Sequence, residues 1–182
     1  ARPVNSAYDA VMNTPRAIKK QPSTVRQPVL LGLFTGTAVG AGYLLAAVPN
    51  IELMTLIIAL CGGTLGARPA LAAGALAAVV YSLGSPFGLP VPLMLAAQAA
   101  GMASAGVLGA FGGNRILSCH YKGQRIAALL WAVATGVGST FIFDLLTNLA
   151  IIRAFAMNTT VVVAGAVPFV LLHMGSNAVI FA

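Results

Sequence analysis

From Pro28 to the C-terminus the chain is a succession of six apolar runs separated by short polar or turn-forming stretches. They are Pro28–Val48, Met54–Leu65, Leu71–Leu83, Val91–Phe111, Ile126–Leu149 and Val161–Ala182. Four of them match the length a bilayer core demands of a helix, roughly 17 to 25 residues. Only 7% of residues are charged and 59% are hydrophobic, with a mean hydropathy of +0.93. A soluble domain of this size needs more charge. The expected fold is an all-α integral membrane protein with one six-helix transmembrane domain over residues 28–182. The second and third runs, flanking Gly66-Ala67-Arg68-Pro69, are short for a crossing and form either two tightly turned helices or a re-entrant pair. Pro168 is expected to bend the last helix.

The few charges are unevenly placed. Arg2, Arg16, Lys19, Lys20 and Arg26 precede the first run, and Arg115, Lys122 and Arg125 fall in what reads as a basic loop, Gly112–Gln124, and its exit. No stacking aromatics accompany these cations, so no nucleic-acid partner is expected. Lys and Arg collect in cytoplasmic loops, and with six crossings only Arg153 falls on the other side. Both termini are therefore expected in the cytoplasm. Residues 1–27 are polar; Ala7–Ile18 forms either an amphipathic helix on the membrane surface or part of a partly ordered tail. This basic N-terminus is too long for a cleavable signal. Cys61 and Cys119 match no metal or redox spacing, and no cofactor is expected.

Polar residues inside lipid are costly and usually face a cavity or a partner. In GSTFIFDLLTNLAIIR, Gly138–Arg153, helical spacing puts Thr140, Asp144, Thr147 and Asn148 on one face. Counting from Arg125, Asp144 is expected on the order of 25 Å toward the outer face, the side that also carries Asn50, Glu52 and Arg153. Tyr81 and Phe87 fit either an interfacial aromatic belt or stacking on a ligand, and Trp131 fits packing. His173, Ser176 and Asn177 form a second stripe, which depth counting sets apart from Asp144 and which suits hydrogen bonding between helices. In the first run, Gly32, Gly36 and Gly40 recur at four-residue spacing, with Ala38, Gly42 and Ala46 on a neighbouring face; either set lets another helix approach closely.

Enzyme activity is not expected: no nucleophile is set beside a base, and HExxH, CxxC and phosphate-loop patterns are missing. A proton-coupled carrier would want a second acidic membrane residue beside Asp144, and a channel would want polar rings.

Four pieces, in this order and spacing, carry a likeness to a known family. They are Gly32-x-x-x-Gly36-x-x-x-Gly40, PNIELMT (Pro49–Thr55), FDLLTN (Phe143–Asn148) and PFVLLHMGSN (Pro168–Asn177). Together the arrangement resembles the substrate-binding S components of energy-coupling factor (ECF) vitamin transporters. The resemblance implies a six-helix bundle in a prokaryotic cytoplasmic (inner) membrane that captures a vitamin or related small nutrient near its outer face. It implies partnership with a transmembrane coupling subunit and two ATPase subunits, and transport by toppling of the whole component in the lipid. Gly stands here where the family usually has Ala on the first helix, and Gly32, Gly36 and Gly40 are the expected docking residues. The expected ligand contacts are Asn50, Glu52, Tyr81, Asp144, Thr147, Asn148 and Arg153. For Asp144 an ion pair with Arg153 stands beside direct ligand contact; for Asn50 and Glu52, a plain role at a helix start. The rival reading is a structural accessory subunit of a larger membrane complex, its polar stripe filled by neighbouring protein.

Overall fold

The computed structural model describes residues 25–86 and 88–182. The expectations for Ala7–Ile18 and Phe87 fall outside them. Six helices make up the described residues, with no strand among them: α1 Arg26–Leu44, α2 Met54–Leu65, α3 Ala67–Leu83, α4 Pro92–Tyr121, α5 Arg125–Ala154 and α6 Thr159–Phe181. Three of these, α4, α5 and α6, are long and apolar enough to cross a membrane; α2 and α3 are apolar but shorter, at 12 and 17 residues. Large apolar side chains cover the outside, among them Phe111, Leu130, Phe169, Leu171 and Val179, each more than 60% exposed. Such a surface belongs in lipid or against other protein, not in water.

Helices consecutive in the chain run antiparallel from α3 onward, Ala70 facing Gly106, Gly112 facing Thr135 and Gly136 facing Phe181; α2 and α4, which also pack together, run in the same sense. The core between α1, α2, α3 and α4 is built mainly from small side chains, including Ala38, Ala70, Ala73, Ala77 and Ala105, with Ile58, Cys61 and Met102 filling the gaps. Helix α4 is the hub: α2, α3 and α5 pack on it, and α6 packs on α5. The α3–α4 crossing is backbone against backbone. A Cβ on Gly106 would lie 2.5 Å from the Ala70 carbonyl oxygen and 2.9 Å from the Ala70 Cβ. Rigid main chain cannot yield, so Gly106→Val must part the helices. Overpacking of this kind typically costs about 1–3 kcal/mol, and a lowered transition in thermal denaturation of the detergent-solubilised protein is the expected readout.

Several boundaries differ from the sequence reading, each for a local reason. The supposed basic loop Gly112–Gln124 is helical through Tyr121, leaving Lys122–Gln124 as the turn. Gly112 serves close packing rather than a bend, because a Cβ there would collide with Thr135 of α5. Arg115 consequently lies on α4, its guanidinium 5.7 Å from the centre of the Trp131 ring. Between α2 and α3 only Gly66 breaks the helix, at φ +91°. Arg68 and Pro69 belong to the first turn of α3, where a missing N–H leaves no helical bond unmade. Helix α1 ends at Leu44 rather than Val48, and α4 opens at Pro92. Helix α5 continues past Leu149 to Ala154. Helix α6 begins at Thr159, two residues before the expected Val161, because the Asn158 side chain accepts from the backbone N–H groups of Thr160 and Val161. It then runs on through Pro168.

Candidate functional site: a cavity at one end of the bundle

The short links that return the chain from α1 to α2 and from α3 to α4 lie at the same end of the bundle. Beneath them is a cavity of about 260 Å³. Its wall is drawn from the end of α1, the 45–53 connection, the start of α2, the last turns of α3, the first half of α4, and one residue each from α5 and α6. Most of that wall is apolar, including Leu45, Met54, Met102 and Phe143. Its polar groups are few: Asn50, Glu52, Tyr81, Ser82, Gln98 and His173.

Glu52 stands just ahead of α2, and its carboxylate accepts from the Thr55 backbone N–H at 3.1 Å and from the Thr55 hydroxyl. This satisfies an orphan donor at the helix start and places negative charge at the positive end of the dipole. The helix-start role and the cavity-wall role therefore coincide in one residue. Burial pushes the Glu52 carboxyl up, but the facing His173 ring and the bonds from Thr55 outweigh that effect and hold it below its ordinary range. Asn50, two residues earlier, adopts φ +58°, a left-handed conformation that Asn tolerates better than most residues. Its carbonyl oxygen lies 2.6 Å from the Ser176 hydroxyl, which lies within 2.9 Å of the His173 carbonyl as well. Ser176 thereby ties α6 to the connection that roofs the cavity.

His173 joins the two halves of the site. Its Nδ1 lies 3.0 and 3.2 Å from the carboxylate oxygens of Asp144 on α5, and its Nε2 is 3.7 Å from Glu52 Oε1. Phe143 meets the imidazole edge-on, with ring centres 6.4 Å apart. The Nε2 atom is buried and makes no hydrogen bond among the described residues. Across the cavity, Ser82 donates to Gln98 Oε1 at 2.8 Å, pinning α3 to α4. Tyr81 packs against Tyr43 with ring centres 5.0 Å apart, while the Tyr43 hydroxyl donates to the Tyr81 carbonyl.

Of the residues singled out from the sequence, Asn50, Glu52 and Tyr81 line this cavity. Asp144 does not line it; it backs His173. The expected separation of Asp144 and His173 is corrected, because α5 extends ten residues beyond Asp144 and carries it away from the helix end. Thr147 and Asn148 also lie off the cavity wall. Their side chains bond back to α5 carbonyls, Thr147 to Phe143 and Asp144, and Asn148 to Asp144 at 2.7 Å. The Asp144–Asn148 face lines an apolar groove shared with α6, while Phe143, one position round the helix, is the α5 residue that reaches the cavity. Thr140 likewise bonds to its own helix, at Gly136, and is fully buried. Arg153 is exposed and pairs with no acid among the described residues. It lies nine positions beyond Asp144, about two and a half turns, and so projects from the opposite side of α5. Asn177 is completely buried, its amide without a hydrogen-bond partner among the described residues.

Ser82, Gln98, Met102 and Phe143 were not among the expected contacts. Gln98 carried a signal as the one amide side chain in the apolar run Val91–Phe111; the other three carried none. Gly32, Gly36 and Gly40 face outward, and a Cβ on any of them would meet nothing within 4 Å, whereas Thr35, Ala38 and Gly42 form the buried face of α1. Comparison with protein-family models, with curated proteins and with solved structures finds no match for this chain.

Proposed function

We propose that the chain is the substrate-binding membrane subunit of an ECF-type importer, which captures a vitamin or related small nutrient and passes it inward. The observation that carries this reading is the cavity: a concave, mostly apolar space with a few convergent polar groups, the usual form of a small-molecule site. The asymmetry of Lys and Arg supports an orientation with both termini in the cytoplasm and the cavity toward the outside of a prokaryotic inner membrane. In this reading the chain catalyses no reaction and uses no cofactor. Energy comes from a coupling subunit and two ATPase subunits, with the open face of Gly32, Gly36 and Gly40 offered to the coupling subunit.

Native mass spectrometry of the protein, taken from its membranes in mild detergent, tests the proposal. The expected result is a retained small molecule in wild type that is missing from Glu52→Ala, together with co-purifying coupling and ATPase subunits. An empty protein in stable association with unrelated membrane subunits would overturn the importer reading in favour of a structural subunit.

A further inference from the structure

We infer that the ligand of this cavity is a compact cation, its positively charged nitrogen set against Glu52 and its apolar body against Tyr81, Met102 and Phe143. The inference rests on the reading of the cavity as a ligand site and adds the charge class of what enters it.

The distribution of charge carries it. The whole chain has a formal net charge of +7 and only three acidic residues, yet two of the three converge here. Among the described residues no Lys or Arg lines the wall. The one basic group is the His173 imidazole, and it is outnumbered: Asp144 lies at 3.0 Å from one ring nitrogen and Glu52 at 3.7 Å from the other. Even with the ring protonated, two carboxylates against one imidazolium leave the cluster with net negative charge. Glu52 lies on the cavity side of that cluster, and Asp144 on the far side.

An anionic ligand would therefore lose its hydration beside a carboxylate and meet, among the described residues, only an imidazole already flanked by two carboxylates, a costly arrangement for a buried charge. A cation meets the opposite conditions. It neutralises the cluster, and the wall carries the aromatic side chains Tyr81 and Phe143, a residue type whose ring quadrupole attracts positive charge. Asn50 and the Ser82–Gln98 pair supply neutral polar contacts at the rim of the same space. The volume, about 260 Å³, lies just below the roughly 300–1,000 Å³ common for ligand sites, which favours a compact molecule.

The test uses the full chain in detergent and three probes that share one ring: benzylamine as the cation, benzyl alcohol as the neutral form and benzoate as the anion. Thermal denaturation is followed as each is titrated. Benzylamine is expected to stabilise the protein at concentrations at least about tenfold below those of the other two. Glu52→Gln, which keeps the side-chain size and one acceptor for Thr55, is expected to erase that preference. Equal or stronger stabilisation by benzoate or benzyl alcohol would overturn the charge class while leaving the cavity as a ligand site. No shift with any of the three would overturn both this inference and the reading beneath it. Should Glu52→Gln fail to fold, the wild-type ranking decides alone.

Discussion

His173→Ala is expected to lower stability by about 3–5 kcal/mol, the usual result of removing one partner from a buried charged pair, and, on the proposed ligand-binding reading, to leave the cavity empty. Among the described residues the imidazole is what links Asp144 on α5 to Glu52 on the connection before α2. Without it, two carboxylates remain in a largely apolar setting with no counter-charge between them. The Phe143 ring also loses its edge-on neighbour. The loss should not be a simple sum of contacts. Asp144→Ala removes the same interaction from the other side, so the double variant His173→Ala/Asp144→Ala is expected to be more stable than two independent losses predict, by about 0.5–3 kcal/mol. Chemical denaturation in mixed micelles measures the three variants, and ligand retention is read in parallel. Additive losses would show that the ring and the carboxylate do not act as a unit.

That pair marks the limit of what the sequence reveals. Each residue announces itself, as an ionisable group in an apolar run, but their meeting depends on where two helices begin and end. Measured from the 155–158 turn, Asp144 lies about 15 Å down α5 and His173 about 21 Å down α6, a difference that two side chains span. Measured from assumed membrane faces, with α5 cut short at Leu149, the same residues fall apart. The apolar runs located all six helices because periodicity and length are properties of local sequence. Asn50 and Glu52 were legible because polar residues cluster where a chain turns between helices, and Tyr81 because it is an aromatic near the end of an apolar run.

Packing geometry was less legible. Gly112 reads as a helix breaker until Thr135 is seen against it, since a glycine that turns the chain and one that admits a neighbour look alike in one dimension. Phe143 belongs to the cavity and Thr147 and Asn148 do not, because α6 claims the polar stripe of α5 and turns the adjacent face inward. A rotation of about 100°, one residue of helix, separates those outcomes. The Ser82–Gln98 bond required the antiparallel approach of α3 and α4, which only the intervening link sets.

On the proposed importer reading, Gly36→Leu is expected to weaken assembly with a coupling subunit at least about tenfold while leaving the isolated protein folded and its cavity able to hold a ligand. The structural basis is the division of α1 into two small-residue faces. On the inward face, a Cβ at Gly42 would lie 2.5 Å from Met54 Sδ and 3.0 Å from the Tyr81 ring, so Gly42→Leu is expected to disturb both the core and the cavity wall. On the outward face, a Cβ at Gly36 meets nothing within 4 Å, and Gly32 and Gly40 are equally open. Leucine there harms no internal contact and improves helix propensity over glycine by somewhat less than the roughly 0.8–1 kcal/mol that separates alanine from glycine. Its only cost falls on whatever approaches from outside. Interfaces of this kind depend on close van der Waals approach of backbones, which a protruding side chain prevents. Co-purification with the coupling subunit should fall at least about tenfold for Gly36→Leu, with uptake falling alongside. Thermal stability and retained ligand, measured on the separated protein, should match or exceed wild type. Gly42→Leu should show the reverse order of damage, with stability and ligand lost first. A Gly36→Leu protein that assembles and transports normally would remove this face of α1 from the docking surface.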